Sequence, residues 1–242
     1  AAAMRIHLPA VLKTRRLGYD GKGQRVLRAS EDIEPAWRAL GGVPLLLEGF
    51  VPFQREVSVL AARGRDGATV FYPLVENHHR DGILRLSRAP LAAPELEGEG
   101  WDHARRLLER LNYVGLLAIE FFVRDDRLIA NEMAPRVHNS GHWTIEGAAT
   151  SQFENHLRAI LGLPLGSTAA LGYSIMLNCI GAMPERAAVL AVPGAHYHAY
   201  GKAPLPGRKV GHLTLRAEHP DALRTGLDRL LPLVGLEAGE FG

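Results

Sequence analysis

The stretch from Gly115 to His142 most constrains what this chain can fold into. Gly115 to Val123 has the composition of a buried strand, Leu128 to Met133 reads as its partner, and Asp125-Asp126-Arg127 reads as the turn between them. With Asp126 at the centre, Glu120 and Glu132 lie at matching positions on the two arms and face each other. Facing side chains of an antiparallel pair have Cβ atoms about 5 Å apart. Two carboxylates that close repel, and Ala118, Ile119, Phe121, Phe122 and Ile129 leave little room for water. A fold keeps such a pair when one carboxylate is protonated or when a cation lies between them. The second glutamate also opens a dense polar run, from Asn131 to His142, that holds Arg136, His138, Asn139, Ser140 and His142. Those residue types suit an anionic substrate beside a metal. The alternative is a salt-bridged surface hairpin, and the many apolar neighbours argue against it.

Composition narrows the remaining classes. At 242 residues the chain holds one large domain or two modest ones, and a net charge of +2 gives no strong field for nucleic acid or a membrane surface. The basic cluster Arg15, Arg16, Lys22, Arg25, Arg28 is followed at once by an acidic helix start and has no aromatic platform, so no nucleic-acid role is expected. No apolar run approaches the roughly 20 residues that span a bilayer. Ala1 to Arg5 is too short for a signal peptide and lacks an apolar core. The single cysteine, Cys179, lies in the apolar run Ile175–Ile180 and is expected to be a buried, inert thiol; a chain with no internal disulfide fits a reducing cytoplasm.

Along the chain, Val11 to Lys13 reads as a strand, residues 18–24 as a glycine-rich loop, and Arg25 to Arg28 as a returning strand. Ser30 opens a helix that runs to Leu40, and Pro44 to Glu48 is a buried strand. Strands are expected over Arg55–Ala62 and Ala68–Val75, and a polar loop over Asn77–Gly82. Asp102 reads as the cap of a helix to Asn112, with Ala104, Leu107, Leu108 and Leu111 at helical spacing, and Ser151–Glu154 as a capping box whose helix ends at Gly162. Near Pro164–Ser167 the composition shifts to short strands (Ser174–Cys179, His196–Ala199, His212–Arg216) and one closing helix with Pro220 in its first turn. The expected fold class is α+β, with divisions at residues 1–52, 53–165 and 166–242.

Lys13 with the loop Gly18, Tyr19, Asp20, Gly21, Lys22, Gly23, Gln24 suits a polyphosphate, because glycines let backbone N–H groups approach phosphate oxygens and the two lysines supply charge. A mobile hairpin tip is the other reading of that loop. Glu48-Gly49-Phe50-Val51 ends an apolar strand where backbone groups can meet a base edge, or is a plain strand end. The adjacent His78 and His79 point in different directions and lack further ligands at zinc spacing, so substrate contact or a solvated loop is expected there. Lys202, Arg208 and Lys209, held among prolines and glycines, form a phosphate clamp or a solvated basic turn. Taken together these motifs point to ATP- and Mg²⁺-dependent activation of a small oxyanion, since Mg²⁺ binds through one or two carboxylates plus phosphates and phosphoryl transfer needs positioning and charge neutralisation.

These residues, with Tyr72 to His79 and the run from Asn131 to Gly147, resemble the N5-carboxyaminoimidazole ribonucleotide synthetases of the ATP-grasp family, from Leu8 to about Val234. The resemblance implies an ATP-grasp fold followed by a small β-rich C-terminal domain. It implies phosphorylation of bicarbonate to carboxyphosphate by ATP and carboxylation of 5-aminoimidazole ribonucleotide in purine biosynthesis, in a cytoplasmic homodimer. By matching motif, Lys13 and residues 18–24 cover the ATP phosphates, Glu48 to Val51 the adenine, and Glu56 the ribose, with His79 nearby. Glu120 and Glu132 bind Mg²⁺, with Asn131 beside them. Arg136, His138 and Asn139 handle bicarbonate and carboxyphosphate, and Asp20, Lys202, Arg208 and Lys209 contact the ribonucleotide. Leu17 stands where the family usually has a smaller residue. The resemblance also implies a preceding α/β domain of about a hundred residues, an ordinary domain size, so the chain is expected to keep its catalytic residues and be impaired or inactive alone. Another ATP-grasp carboxylase or ligase, and a nucleotide-binding fragment without turnover, remain as alternatives.

Overall fold

Two β-sheets carry the candidate residues, each in its own compact unit of the computed structural model, which describes residues 5–18, 20–237 and 239. The first unit comprises residues 1–52 and 79–83, and the second residues 53–78 and 84–242. Tyr19, expected in the phosphate loop, lies outside the described residues.

In the first unit β1 (Ala10–Thr14) runs between β2 (Gln24–Leu27) and β3 (Leu45–Gly49), both antiparallel to it. Alternation decides what each face does. Leu12 and Leu27 point one way and pack on Ala36 and Leu40 of helix α1 (Ile33–Leu40). Val11 and Lys13 point the other way, where Val11 faces Glu48 and Lys13 faces Gln24 and Leu46.

Among the described residues, the sheet of the second unit has nine strands. They are β4 (Arg55–Arg63), β5 (Thr69–Phe71), β6 (Val75–Arg80), β7 (Ile83–Ala89), β8 (Gly115–Arg124), β9 (Arg127–Ala134), β10 (Tyr173–Ile180), β11 (Ala195–Ala199) and β12 (Lys209–Ala217). The order is β11-β12-β10-β7-β6-β4-β8-β9, with β5 on β4. The strands after residue 166 are therefore laid into the same sheet as those before it. We keep 165/166 as a proposed boundary between sequence modules; the sheet itself is continuous across β7 and β10.

One face of this sheet is apolar. Val57, Val59, Ala61, Ile119, Phe121 and Val123 pack on Leu96, Ala104 and Leu108 of helix α2 (Pro94–Arg110). Further along, Ile175, Leu177, Leu213 and Leu215 pack on Leu223, Leu227 and Leu230 of helix α4 (Pro220–Leu230). The opposite face meets Trp143, the loop around it and helix α3 (Gln152–Leu161).

Several sequence expectations change. Residues 77–80, expected in a loop, continue strand β6, because Asn77 pairs with Glu56 of β4. Helix α2 starts at Pro94 rather than Asp102, and Leu111 lies beyond its end and is exposed. The expected strands also change: Ala68–Val75 breaks into β5 and β6, and β3 is half-buried rather than buried, with Leu46 exposed. In α2 a Cβ on Gly100 would sit 2.6 Å from Val59 Cγ2, so this glycine lets the helix lie close on the sheet. Three expectations hold: Ser151 caps α3 by accepting the Glu154 N–H at 3.2 Å, Gly162 ends it in a left-handed conformation, and Cys179 is buried, which pushes its thiol up to about 12.

Candidate functional site

The acidic pair is built by the β8–β9 hairpin. Asp125 and Asp126 both have positive φ, 51° and 54°, and Arg124 pairs with Arg127. This is a two-residue turn of the kind whose twist matches the strands it joins. A turn centred between the two aspartates would offset the glutamates by one residue. The register shifts at Asn131, so that Glu120 pairs with Glu132 while Phe121 pairs with Ala130. A bulge re-aims a side chain and bends the strand. Here it brings the two glutamates opposite each other, as expected, by a route the sequence reading did not contain. Glu120 is 13% exposed, and Glu132 is more open.

Glu120 shares its face with Ser58, its partner on β4. From there a row of polar residues crosses the sheet. Asn77 donates to Ser58 Oγ at 2.6 Å, and Ser87 donates to Asn77 Oδ1 at 2.8 Å. On β10 and β12 the row continues through Asn178, His212 and Thr214. All of these except Glu120 are buried. Asn178 was the visible signal, a lone amide inside an apolar run, but its partners could not be read from the sequence.

The loop after β9 lies over this row. Asn139 and Asn178 exchange two side-chain hydrogen bonds of 3.0 and 2.7 Å, and Asn178 also donates to the Leu84 carbonyl at 2.9 Å. The His138 imidazole has Nδ1 2.9 Å from Ser140 Oγ and 3.6 Å from Glu120 Oε1. Arg136 is exposed and donates to the Val137 carbonyl at 2.9 Å. Gln152, which the sequence presents only as part of a capping box, is fully buried and bonds to the backbone of His138.

Behind the loop sits an aromatic cluster. His198 stacks on His212 with centroids 4.4 Å apart, and His142 lies 4.9 Å from His212. Burial, then the charges of Lys209 and His198, pull His142 down to about 4. Burial, then His142 and His198, pull His212 down to about 2. Both rings are therefore neutral at pH 7. Burial pushes the Tyr200 hydroxyl up, and its oxygen lies 2.7 Å from His212 Nδ1, within hydrogen-bond distance. Burial also pushes the Glu146 carboxyl up, but the hydrogen bond from His198 Nε2, 2.9 Å long, leads the opposing effects that leave it below its usual range.

The cationic turn divides. Lys209 opens β12 and acts electrostatically on His142. Lys202 is exposed, with Nζ 5.1 Å from the Tyr200 ring centre, and Arg208 is exposed and donates to the Ala203 carbonyl at 3.3 Å. Glu56 is half-buried on β4, next along the polar face from Ser58. Glu76 points to the apolar face instead, where His78 and then burial, Arg88 and Arg55 set its carboxyl, which ends below the usual range.

In the first unit Lys13 Nζ lies 2.6 Å from Glu48 Oε2, so the expected phosphate lysine and the expected adenine strand end are paired. The Phe50 N–H, one of the backbone groups expected to meet a base, donates to the Pro9 carbonyl at 3.1 Å. Gly49 pairs with Ala10, and Val51 is half-buried. The loop of Gly18, Asp20, Gly21, Lys22, Gly23 and Gln24 takes positive φ at Asp20, Gly21 and Gly23 and lies against the turn that holds Asp81 and Gly82. His79 is half-buried at the start of that segment.

Among the described residues no cluster of three or more His, Cys, Asp or Glu is placed to hold a metal by itself. Two facing carboxylates fit a cation that completes its shell with phosphate oxygens and water, which is how Mg²⁺ is usually held. No described helix is long and apolar enough to cross a membrane.

Comparison with known proteins bears on the family and the fold. The ATP-grasp domain profile matches residues 1–153, and the phosphoribosylaminoimidazole carboxylase C-terminal domain profile matches residues 174–225. The chain is 60% identical over 234 residues to an N5-carboxyaminoimidazole ribonucleotide synthase of Pseudomonas aeruginosa, an alignment covering 97% of this chain and 65% of that protein. The crystal structure of the N5-carboxyaminoimidazole ribonucleotide synthetase of Thermus thermophilus superposes with a TM-score of 0.91 at 58% identity, over 98% of this chain and 65% of that one. A synthase of Aspergillus clavatus, solved in complex with ADP and 5-aminoimidazole ribonucleotide, superposes with a TM-score of 0.87 at 33% identity, over 96% of this chain and 64% of that one. The chain thus spans about 65% of the length of the curated relative it matches at that identity.

Proposed function

The chain belongs to the ATP-grasp family, and from that premise we propose that it uses ATP and Mg²⁺ to carboxylate 5-aminoimidazole ribonucleotide with bicarbonate, giving N5-carboxyaminoimidazole ribonucleotide. A bicarbonate oxygen attacks the γ-phosphorus of ATP, ADP leaves, and carboxyphosphate forms. The amine of the ribonucleotide then attacks the carboxyl carbon, a new N–C bond forms, and phosphate leaves as the amine loses a proton. The single observation that carries this reading is the Glu120–Glu132 pair with His138 Nδ1 3.6 Å from Glu120. Two acidic groups beside an imidazole support a reading in which a nucleotide phosphate and a small oxyanion meet at this hairpin.

Roles follow for the individual residues. Lys13 and residues 18–24, Tyr19 and Asp20 included, neutralise and enclose the ATP phosphates through charge and backbone N–H groups. Glu48, Gly49, Phe50 and Val51 take the adenine, and Glu56 the ribose, with His79 also on the nucleotide. Glu120 and Glu132, with Asn131 beside them, would hold Mg²⁺, and the ion would supply neutralisation of phosphate charge there. Arg136 offers its guanidinium to the bicarbonate and carboxyphosphate oxygens. His138 and Asn139, both fixed by hydrogen bonds, orient the carboxyl group. Lys202, Arg208 and Lys209 take the ribonucleotide phosphate, and Asp20 contacts the ribonucleotide. A cytoplasmic homodimer is part of the same reading.

Phosphate release and ADP formation by the purified chain, with Mg·ATP and each substrate omitted in turn, test the proposal. Release that requires both bicarbonate and 5-aminoimidazole ribonucleotide supports it. Turnover with a different acceptor would assign another ATP-grasp ligase. A second reading, nucleotide binding without turnover, is favoured by the 65% coverage of the relative. Calorimetry that finds Mg·ATP binding in a chain releasing no phosphate would select it.

A further inference from the structure

Gln152 is fully buried at the start of α3, and every polar atom of its side chain is engaged. Its Oε1 accepts the His138 N–H at 3.0 Å, and its Nε2 donates to the His138 carbonyl at 2.7 Å. One carboxamide therefore grips both peptide groups of a single residue. The opposite orientation of the amide would set oxygen against the carbonyl and N–H against N–H, so the assignment is forced. That leaves one Nε2 hydrogen, which points at His142 Nδ1, 3.0 Å away. His142 Nδ1 must then carry a lone pair, and the proton of the neutral ring must sit on Nε2. Burial, which holds His142 at about 4, agrees with a neutral ring.

The surroundings leave Gln152 no other place to go. Its backbone N–H donates to Thr144 Oγ1 at 3.0 Å, and Thr144 in turn donates to the Gly141 carbonyl at 2.6 Å. A Cβ on Gly141 would fall 2.5 Å from Gln152 Oε1, so only glycine admits the carboxamide. His142 is held in turn against His212, Phe153 and Tyr200, with ring centroids 4.9, 5.3 and 6.5 Å away.

We infer that Gln152 is a positioning residue for His138, and that His142, as the Nε2–H tautomer, is the acceptor that fixes the Gln152 carboxamide. The role given to His138 rests on the reaction proposed above; the clamp itself does not. A grip on both backbone groups of His138 fixes the segment that carries its ring, and loss of a hydrogen-bonded support one shell out from a functional group lowers activity roughly 10–100-fold at metal sites.

The test uses the full chain and two readouts. In imidazole ¹⁵N NMR at pH 7, His142 should show a protonated Nε2 and a bare Nδ1. Gln152→Ala and Gln152→Glu should both shift the His138 ring resonances, the second because a carboxylate cannot donate to the His138 carbonyl. In His142→Asn the amide oxygen replaces Nδ1 as acceptor and the His138 resonances should stay near wild type, whereas His142→Leu should move them. In bicarbonate-dependent phosphate release, Gln152→Ala and His142→Leu should lower kcat roughly 10–100-fold with KM for ATP unchanged, and His142→Asn should restore most of it. Circular dichroism separates misfolding from mispositioning. His138 resonances that do not move in a folded Gln152→Ala protein overturn the inference, as does a His142→Asn protein that behaves like His142→Leu. A wild-type chain that releases no phosphate favours the reading of nucleotide binding without turnover and leaves the clamp to be judged by the NMR arm alone.

Discussion

Val57, Val59, Ile119 and Phe121 alternate along β4 and β8 with Ser58 and Glu120, so the two faces of one sheet have opposite chemistries. The face under α2 and α4 is closed by aliphatic packing. The face under the 135–153 loop has an apolar cluster of its own, with Leu60, Ala118, Met176 and Trp143, and adds to it a row of hydrogen bonds, Asn77 to Ser58, Ser87 to Asn77 and Asn178 to Asn139. Burial of apolar area is non-directional, so the first face tolerates change of shape better than loss of volume. Hydrogen bonds are directional, and each partner lost leaves a buried group unsatisfied. Apolar packing on both faces therefore carries the stability of the unit, and the hydrogen bonds of the second face also hold side chains at fixed angles around Glu120.

The largest effect expected from breaking this division is at the acidic pair. Glu120→Ala should reduce bicarbonate-dependent phosphate release by roughly 10³-fold, since metal neutralisation of phosphate is worth several kcal/mol in the transition state. Its melting temperature should hold or rise, because two facing like charges are unfavourable. A large drop in melting temperature would show that the pair is structural. Next, Leu108→Ala on the apolar face should cost about 3 kcal/mol in urea unfolding, within the usual range for a buried leucine. Activity per folded molecule should not change; a loss of kcat would mean that the two faces are coupled.

A smaller effect of about 2 kcal/mol is expected for Asn178→Leu, which leaves Asn139 without its two side-chain hydrogen bonds. Unlike Leu108→Ala it should also lower kcat, and an unchanged kcat would remove Asn139 from the proposed site. The smallest effect is with pH. His142 and His212 are held down in the folded state, to about 4 and about 2, so below 6.5 the unfolded chain binds protons that the folded chain does not. Their contribution is complete above the unfolded value and is lost as pH falls. Moving from pH 7.5 to 6 should lower stability by about 1.5 kcal/mol. The loss should halve in His212→Asn, and a flat profile in wild type would show that the cluster is open to water.

Much of this was legible in the residues. The helix from Ser151 to Gly162 announces itself at both ends, because Ser151 caps it and Gly162 closes it in the left-handed conformation. The facing glutamates were also legible, although the turn lies half a residue earlier than expected and the bulge at Asn131 restores the register. Strand β6 was misread because it is polar on both sides: Asn77 serves one face of the sheet, and Glu76 faces His78, Arg55 and Arg88 on the other. Alternation of polar and apolar residues is the signal for a strand, and β6 lacks it.

What the sequence by itself determined is the local frame: the turn, the caps, and two carboxylates twelve residues apart on one hairpin. These depend on backbone geometry within a few residues, which residue type governs directly. Only the tertiary structure decided that Asn139 meets Asn178, that His142 meets His212, and that Gln152 closes on His138. Those contacts join segments whose spacing follows no helical or strand period. They are set by which strands lie side by side and by the volume the loop must fill above them, and packing of the whole unit is what specifies both.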